Sequence, residues 1–247
     1  MRKLTLLLLL ITLLISCKPE SITFPTSECF WRDLYSEHPK NTQYQDLLDE
    51  YVNLGIPGIN ILISKGDDEL WIGSSGVSRI ETGEELVPCH TMPVGSVSKF
   101  FCGAAAMLMY EDGILDLDKT IASYLGDEWS EPIPNAKTAA VGHLLSHTSG
   151  IPNYTDQPAF MLDLLNNKDM NLLRESVLEN YVFNKRPLFT PGEEYSYSNP
   201  NYEIMTLIMD EIYPNGHADF YSYRLFTRLG LEKSYYKNET DYFTLSS

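Results

Sequence analysis

Strand-forming sequence is concentrated in one stretch of this chain. Residues 57–78, PGINILISKGDDELWIGSSGVS, hold two β-rich runs with Gly66-Asp67-Asp68 between them, a hairpin signature. No strand-rich segment follows residue 80. A two-stranded hairpin is marginal in water by itself and needs further strands or a helical layer against it. The expected fold class is therefore α+β: one helix, the hairpin of an antiparallel sheet, then a long helical region.

The helices are read from apolar spacing. Residues 41–55, NTQYQDLLDEYVNLG, repeat at helical period and close on glycine. A second run goes from Ser96 to Met109, with Gly113 as its stop signal. Further helices are expected at 118–125, 139–146, 159–166, 170–183, 201–213 and 217–229, separated by proline, glycine and asparagine. With 247 residues, 43% of them apolar, the chain has material for one large domain or two small ones with a buried core.

The N-terminus reads as an address. Arg2 and Lys3 precede a run from Leu4 to Ile15 that is apolar except for Thr5 and Thr12. That is signal-peptide length and short for a membrane span. The run ends in Leu14-Ile15-Ser16-Cys17, which resembles a bacterial lipobox, so Cys17 is the expected lipidation site. The expected organisation is a lipoprotein signal peptide over 1–16, a tether over 17–40, and a folded domain over 41–247. The location that follows is the bacterial cell envelope, with the protein held on a membrane by its lipid. The net charge is −16, and without the signal peptide the balance is more acidic still. Such a surface repels phosphate backbones, so nucleic acid is excluded as a partner. Cys29, Cys89 and Cys102 are the remaining cysteines. Cys102 falls in an apolar helical run and reads as a core residue. Spacing leaves a Cys29–Cys89 bridge open, and no pair has metal-finger spacing.

Chemistry enters at GSVSKFF, residues 95–101. Ser96 and Lys99 are three apart, nearly one helical turn, so both side chains lie on one face. Ser98 points elsewhere on the same helix. A helix that opens on serine with a lysine one turn in is common, so the pair alone decides little. A second stretch, PLFTPGEEYSYSNPNYEIM (187–205), places Tyr197-Ser198-Asn199 after a Pro-Gly turn and before a helix. Tyr197 read by itself is a core aromatic as readily as a functional group; Tyr195 is its neighbour, but only Tyr197 stands two before an asparagine. A third stretch, HLLSHTSGIPNY (143–154), lies between them. Its His143 and His147 are four apart, a zinc-like spacing, yet no Glu follows His143 and no third ligand is evident, so no metal is expected. Asn153 heads a sequon that carries no weight in a bacterial chain.

In this order the stretches resemble the penicillin-recognising serine hydrolases. The likeness is to class C β-lactamases, D-alanyl-D-alanine carboxypeptidases and related esterases. It runs from about Asn41 onward through the hairpin, PVGSVSKFF, DGILDLDKTIASYL, LLSHTSGIPNY, PGEEYSYSN and RLFTRLGLEKS, the last similar to the family's Arg-Ile-Phe-x-Pro-Leu-Gly-Met segment. The resemblance implies a β-lactamase/transpeptidase-like fold and three catalytic residues, Ser96 as nucleophile, Lys99 as its base and Tyr197 as proton carrier, with Asn199 binding substrate. It implies no cofactor. The partners it implies are peptidoglycan stem peptides, β-lactams or small esters. It also makes the histidine region structural.

One departure stands out. The family's third motif, Lys-Thr-Gly or His-x-Gly, does not occur after Asn199; the one histidine there, His217, is followed by Ala218-Asp219. The expectation is a domain whose C-terminal strands and closing helix are missing, with impaired turnover. Two other outcomes stay open: a non-catalytic peptidoglycan- or partner-binding lipoprotein on the same scaffold, and a non-functional remnant.

Overall fold

The computed structural model describes residues 29, 35–66, 69–166 and 173–236. The signal peptide, Cys17 and Asp67-Asp68 of the expected turn lie outside these residues, as does the tether except for Cys29 and residues 35–40. The chain forms two compact units, residues 1–91 with 245–247, and residues 92–244.

In the first unit, helix α1 (Asn41–Asn53) covers a three-stranded antiparallel sheet of order β1 (Gly58–Lys65), β2 (Glu69–Arg79), β3 (Glu84–Glu85). β1 and β2 pair in register from Gly58 with Gly76 to Lys65 with Glu69. Trp71 anchors the helix to the sheet. It is buried, its indole N–H donates to the Asn41 side chain at 2.9 Å, and Tyr44 lies 5.1 Å from it. Gln45 donates to the Ser74 carbonyl and Ser75 to Asp49, so polar bonds frame the apolar contact. Gly76, at φ +88°, lies so close to the Pro57 carbonyl that a Cβ has no room there. Cys29 and Cys89 are joined as a disulfide with Cα atoms 5.7 Å apart, which decides the pairing that spacing left open. β3 is a strand the sequence did not announce. Its two residues are glutamates, poor strand formers, held because Val77 and Arg79 of β2 offer them a ladder.

The second unit is helical among its described residues. α2 (Ser98–Glu111) buries Cys102, Ala105, Ala106 and Met109, one face of a 3.6-residue repeat. The remaining helices are α3 (Asp127–Ser130), α4 (Val141–Leu145), α5 (Pro158–Asn166), α6 (Arg174–Tyr181), α7 (Pro200–Ile212) and α8 (Gly216–Phe220), which runs on into a turn of π-helix at Tyr221–Phe226. α7 is the central rod. Ile204, Met205, Ile208 and Met209 have no exposed surface, and they pack on the α2 face, where two alanines let the helices approach. The expected helix at 118–125 shrinks to a single 3-10 turn, Ile121–Ser123. The cause is competition for donors: Ile121 N–H bonds Ala139 and Ala122 N–H bonds Ala136, so these amides are not available to a regular helix. The segment expected at 170–183 enters the description as α6, while 167–172 fall outside the described residues.

Candidate active site

The N-terminal ends of α2 and α7 meet at the site. Ser96 lies in a 3-10 turn, Gly95–Val97, that leads directly into α2, and Lys99 is in the first turn of α2. Pro200 occupies the first position of α7, where its missing N–H costs nothing and its fixed φ suits the helix. That start sets Asn199 at the cap of α7 and leaves Tyr197 in the extended segment just before it.

The four side chains singled out in the sequence converge. Lys99 Nζ donates to Ser96 Oγ at 3.3 Å and to Asn199 Oδ1 at 2.8 Å. Tyr197 Oη lies 2.9 Å from Ser96 Oγ, across 101 residues of chain. The Lys99 amine also sits 5.2 Å from the Tyr197 ring centre and 5.7 Å from that of Tyr202, within cation–π range. Ser96 is exposed and Tyr197 is 39% exposed, so the hydroxyl is open to a substrate. Burial pushes the Tyr197 phenol up, but its bonds to Lys99 and Ser96 and the Lys99 charge more than reverse this, and it lies below the ordinary tyrosine value. A phenol shifted in that direction exchanges protons more readily.

Tyr195 is exposed, its ring edge-on to that of His147 at 6.1 Å. His143 Nδ1 accepts from the Ala140 N–H at the start of α4. His147 Nδ1 accepts from the Ser198 N–H at 3.2 Å, with Asn201 Nδ2 also 3.2 Å away. An acceptor at Nδ1 makes the imidazole neutral with its proton on Nε2. Burial and the nearby Lys99 charge hold His147 below the usual histidine value, consistent with that form. Its ring lies 4.5 Å from that of Tyr197 and backs the phenol. His217 is buried and bonded to Asp210 at 2.5 Å and to Tyr236 at 2.8 Å. Among the described residues, no group of three or more His, Cys, Asp or Glu side chains is placed to hold a metal ion.

Two residues that matter here were not assigned a role from sequence. Asn153 Oδ1 accepts from both the backbone N–H and the side-chain amide of Asn199, each at 3.2 Å. Those bonds aim the Asn199 carbonyl oxygen at Lys99. Asn201 Oδ1 accepts from Ser149 Oγ at 2.6 Å, which fixes its amide and directs the NH2 group at His147. In the sequence Asn153 stands out only as the head of a sequon. Its actual contact lies 46 residues away, beyond any local pattern.

The beta-lactamase family matches residues 44–241. Penicillin-binding protein 4* of Bacillus subtilis is 26% identical over 178 residues, 70% of this chain and 37% of that protein. Among solved structures, a D-stereospecific amidohydrolase from Streptomyces sp. superposes with a TM-score of 0.65 at 25% identity, covering 78% of this chain and 55% of that one. An octameric penicillin-binding protein homologue from Pyrococcus abyssi gives 0.67 at 24% identity, covering 81% and 45%. The chain thus spans about a third of the length of the curated relatives it matches, 37% and 32% for the first two.

Proposed function

The chain belongs to the beta-lactamase family and has its α+β, β-lactamase/transpeptidase-like fold, and from that premise we propose that it is a serine hydrolase working through an acyl-enzyme. The observation that carries this reading is the triangle of Ser96 Oγ with Tyr197 Oη at 2.9 Å and Lys99 Nζ at 3.3 Å. A serine hydroxyl is a weak nucleophile until a base takes its proton. Lys99, within 3.3 Å of the Ser96 hydroxyl, is that base. Ser96 Oγ bonds to the substrate carbonyl carbon, and its proton passes to the Lys99–Tyr197 pair. Collapse of the tetrahedral species breaks the C–N bond of an amide or β-lactam, or the C–O bond of an ester, and Tyr197 returns the proton to the leaving group. Water then attacks the acyl carbon and releases Ser96. The Ser96 N–H, at a helix start where amides have no intrahelical acceptor, supplies one oxyanion donor. Asn199 holds Lys99 and offers its NH2 group to a substrate amide.

The substrate class is one of amides, β-lactams or esters. Cell-wall D-alanyl peptides suit a protein of the envelope, and the names of its relatives point to penicillins and to D-stereospecific hydrolysis of amides. Lipidation at Cys17 and retention on a membrane belong to this proposal and rest on the sequence around Ser16-Cys17. The test is intact-mass analysis after incubation with a penicillin or a fluorophosphonate. One adduct on Ser96, absent from Ser96→Ala, is the expected result. No adduct with either reagent overturns the reading, and saturable binding to cell-wall fragments that survives Ser96→Ala identifies a binding protein on the same scaffold.

A further inference from the structure

Glu203 stands one turn beyond Asn199 on α7. Its carboxyl Oε1 accepts from Tyr154 Oη at 2.7 Å, while Oε2 is buried with no hydrogen-bond partner among the described residues. Tyr154 directly follows Asn153, which grips Asn199. Two consecutive residues of one loop thus hold two α7 residues that are one turn apart. The ladder continues through Asn199 Oδ1 to Lys99 Nζ at 2.8 Å. Nothing in the acyl-transfer chemistry above requires a carboxyl group at this place.

We propose that Glu203 is a positioning residue for Lys99: beside a neutral Glu203 the amine is free to bond Ser96, and an ionised Glu203 draws it toward Asn199. The Tyr154–Asn153–Asn199 ladder carries the change at Glu203 to the amine. This rests on the hydrolase reading for its catalytic consequence, but the linkage between Glu203 and Asn199 stands without it.

The surroundings give the sign. Burial raises the Glu203 carboxyl to about 7, against the lowering effects of the Tyr154 hydrogen bond and the Lys99 and Arg174 charges, while Glu175 adds to the rise. These are the groups that face it: Tyr154 from the loop, Lys99 from α2, and Arg174 and Glu175 from α6. Glu203 is therefore neutral at pH 5 and mostly ionised at pH 8. An ionised Glu203 attracts the Lys99 charge and draws the amine toward Asn199 and away from Ser96.

Two measurements on the full chain test this. In the first, the side-chain amide of Asn199 and the carboxyl carbon of Glu203 are followed by NMR from pH 5 to 9. A shared midpoint near 7, lost from the Asn199 signal in Glu203→Gln, is expected. An Asn199 signal that does not titrate, or that titrates identically in Glu203→Gln, overturns the proposal. In the second, the rate of Ser96 modification by a fluorophosphonate is measured over the same range. Wild type and Glu203→Gln should coincide near pH 5 and diverge above pH 7, the variant being faster by about threefold to tenfold at pH 8. A uniform displacement at every pH marks a merely structural residue and overturns the proposal. If the NMR coupling appears but Ser96 is never modified, the hydrolase reading fails and the linkage survives. Should Glu203→Gln not fold, Tyr154→Phe replaces it. Removing the bond that lowers Glu203 should move the midpoint upward, and an unmoved midpoint counts against the ladder.

Discussion

At the start of α7, Asn199 accepts from Lys99 at 2.8 Å, and Lys99 reaches Ser96 at 3.3 Å. Near its far end, Asp210 accepts from Arg174 at 2.7 Å and pairs with His217 at 2.5 Å. By residue type alone the second cluster looks the more catalytic, an aspartate orienting a histidine. The surroundings reverse that impression. His217 is 7% exposed, and both its ring nitrogens are taken, by Asp210 and Tyr236. Arg174 is shared among Thr206, Asp210 and Glu175. Asp210 lies toward a helix C-terminus, where a negative charge is disfavoured, and the cations around it offset that. Every strong group there is spent on another. At the other end Ser96 is exposed to solvent and the Tyr197 phenol is partly open. Spare capacity at an accessible atom separates a reactive cluster from a structural one.

The sharpest test of that contrast removes one functional group from each cluster. Tyr197→Phe should slow Ser96 acylation about 10²- to 10⁴-fold, the usual worth of a positioned proton carrier. Its thermal midpoint should barely move, because the ring stays against His147. Asp210→Ala should do the opposite. Removing one partner of this half-buried cluster leaves donors on Arg174 and His217 unpaired, at about 1–3 kcal/mol, read as a lower urea midpoint, while acylation per folded molecule stays near wild type. If Asp210→Ala instead abolished acylation in protein that remains folded, the two clusters would be one machine.

Acid provides the next break, on a smaller scale. Burial works against the Asp210 charge, but its bonds from His217 and Arg174 hold it down at about 2, below the ordinary 3.8. The folded state therefore prefers the carboxylate. The stability that Asp210 contributes is fully present above about pH 4 and is lost as pH falls through 2. Asp210→Asn should flatten the pH dependence of the urea midpoint in that window, at a lower absolute stability. A wild-type profile with no slope there removes Asp210 from the account.

What the sequence revealed follows the same division between local and distant causes. Ser96 and Lys99 were legible because three residues on one helix fix their geometry. The β1–β2 hairpin was legible because alternating apolar runs about Gly66 leave few other choices. Cys102 was legible as core from its helical surroundings, and it is 4% exposed. Tyr197 was not legible from spacing, since no local rule brings a loop back to a helix a hundred residues earlier; only the family resemblance put it at Ser96. Asn153 was missed for the same reason. β3 was invisible because its two glutamates are strand only by virtue of their partner. The helix expected at 118–125 failed because residues 136 and 139 took amide donors from it.

The smallest expected effect lies between Tyr197 and Asn199. Ser198 has no exposed surface, and its Oγ is buried with no hydrogen-bond partner among the described residues. Its contribution to the site is the backbone N–H, which bonds His147 Nδ1. A buried hydroxyl without a partner is a cost, on the order of 1–3 kcal/mol when fully desolvated, against which the small void left by its removal must be set. Ser198→Ala keeps the N–H, so His147 and the Tyr197 ring stay in place. The thermal midpoint should hold or rise by about 1–3 °C, with acylation unchanged. A fall of several degrees together with slower acylation would mean that this hydroxyl works for the site. The contrast between the ends of α7 would then need redrawing, with a sealed polar group serving the open cluster.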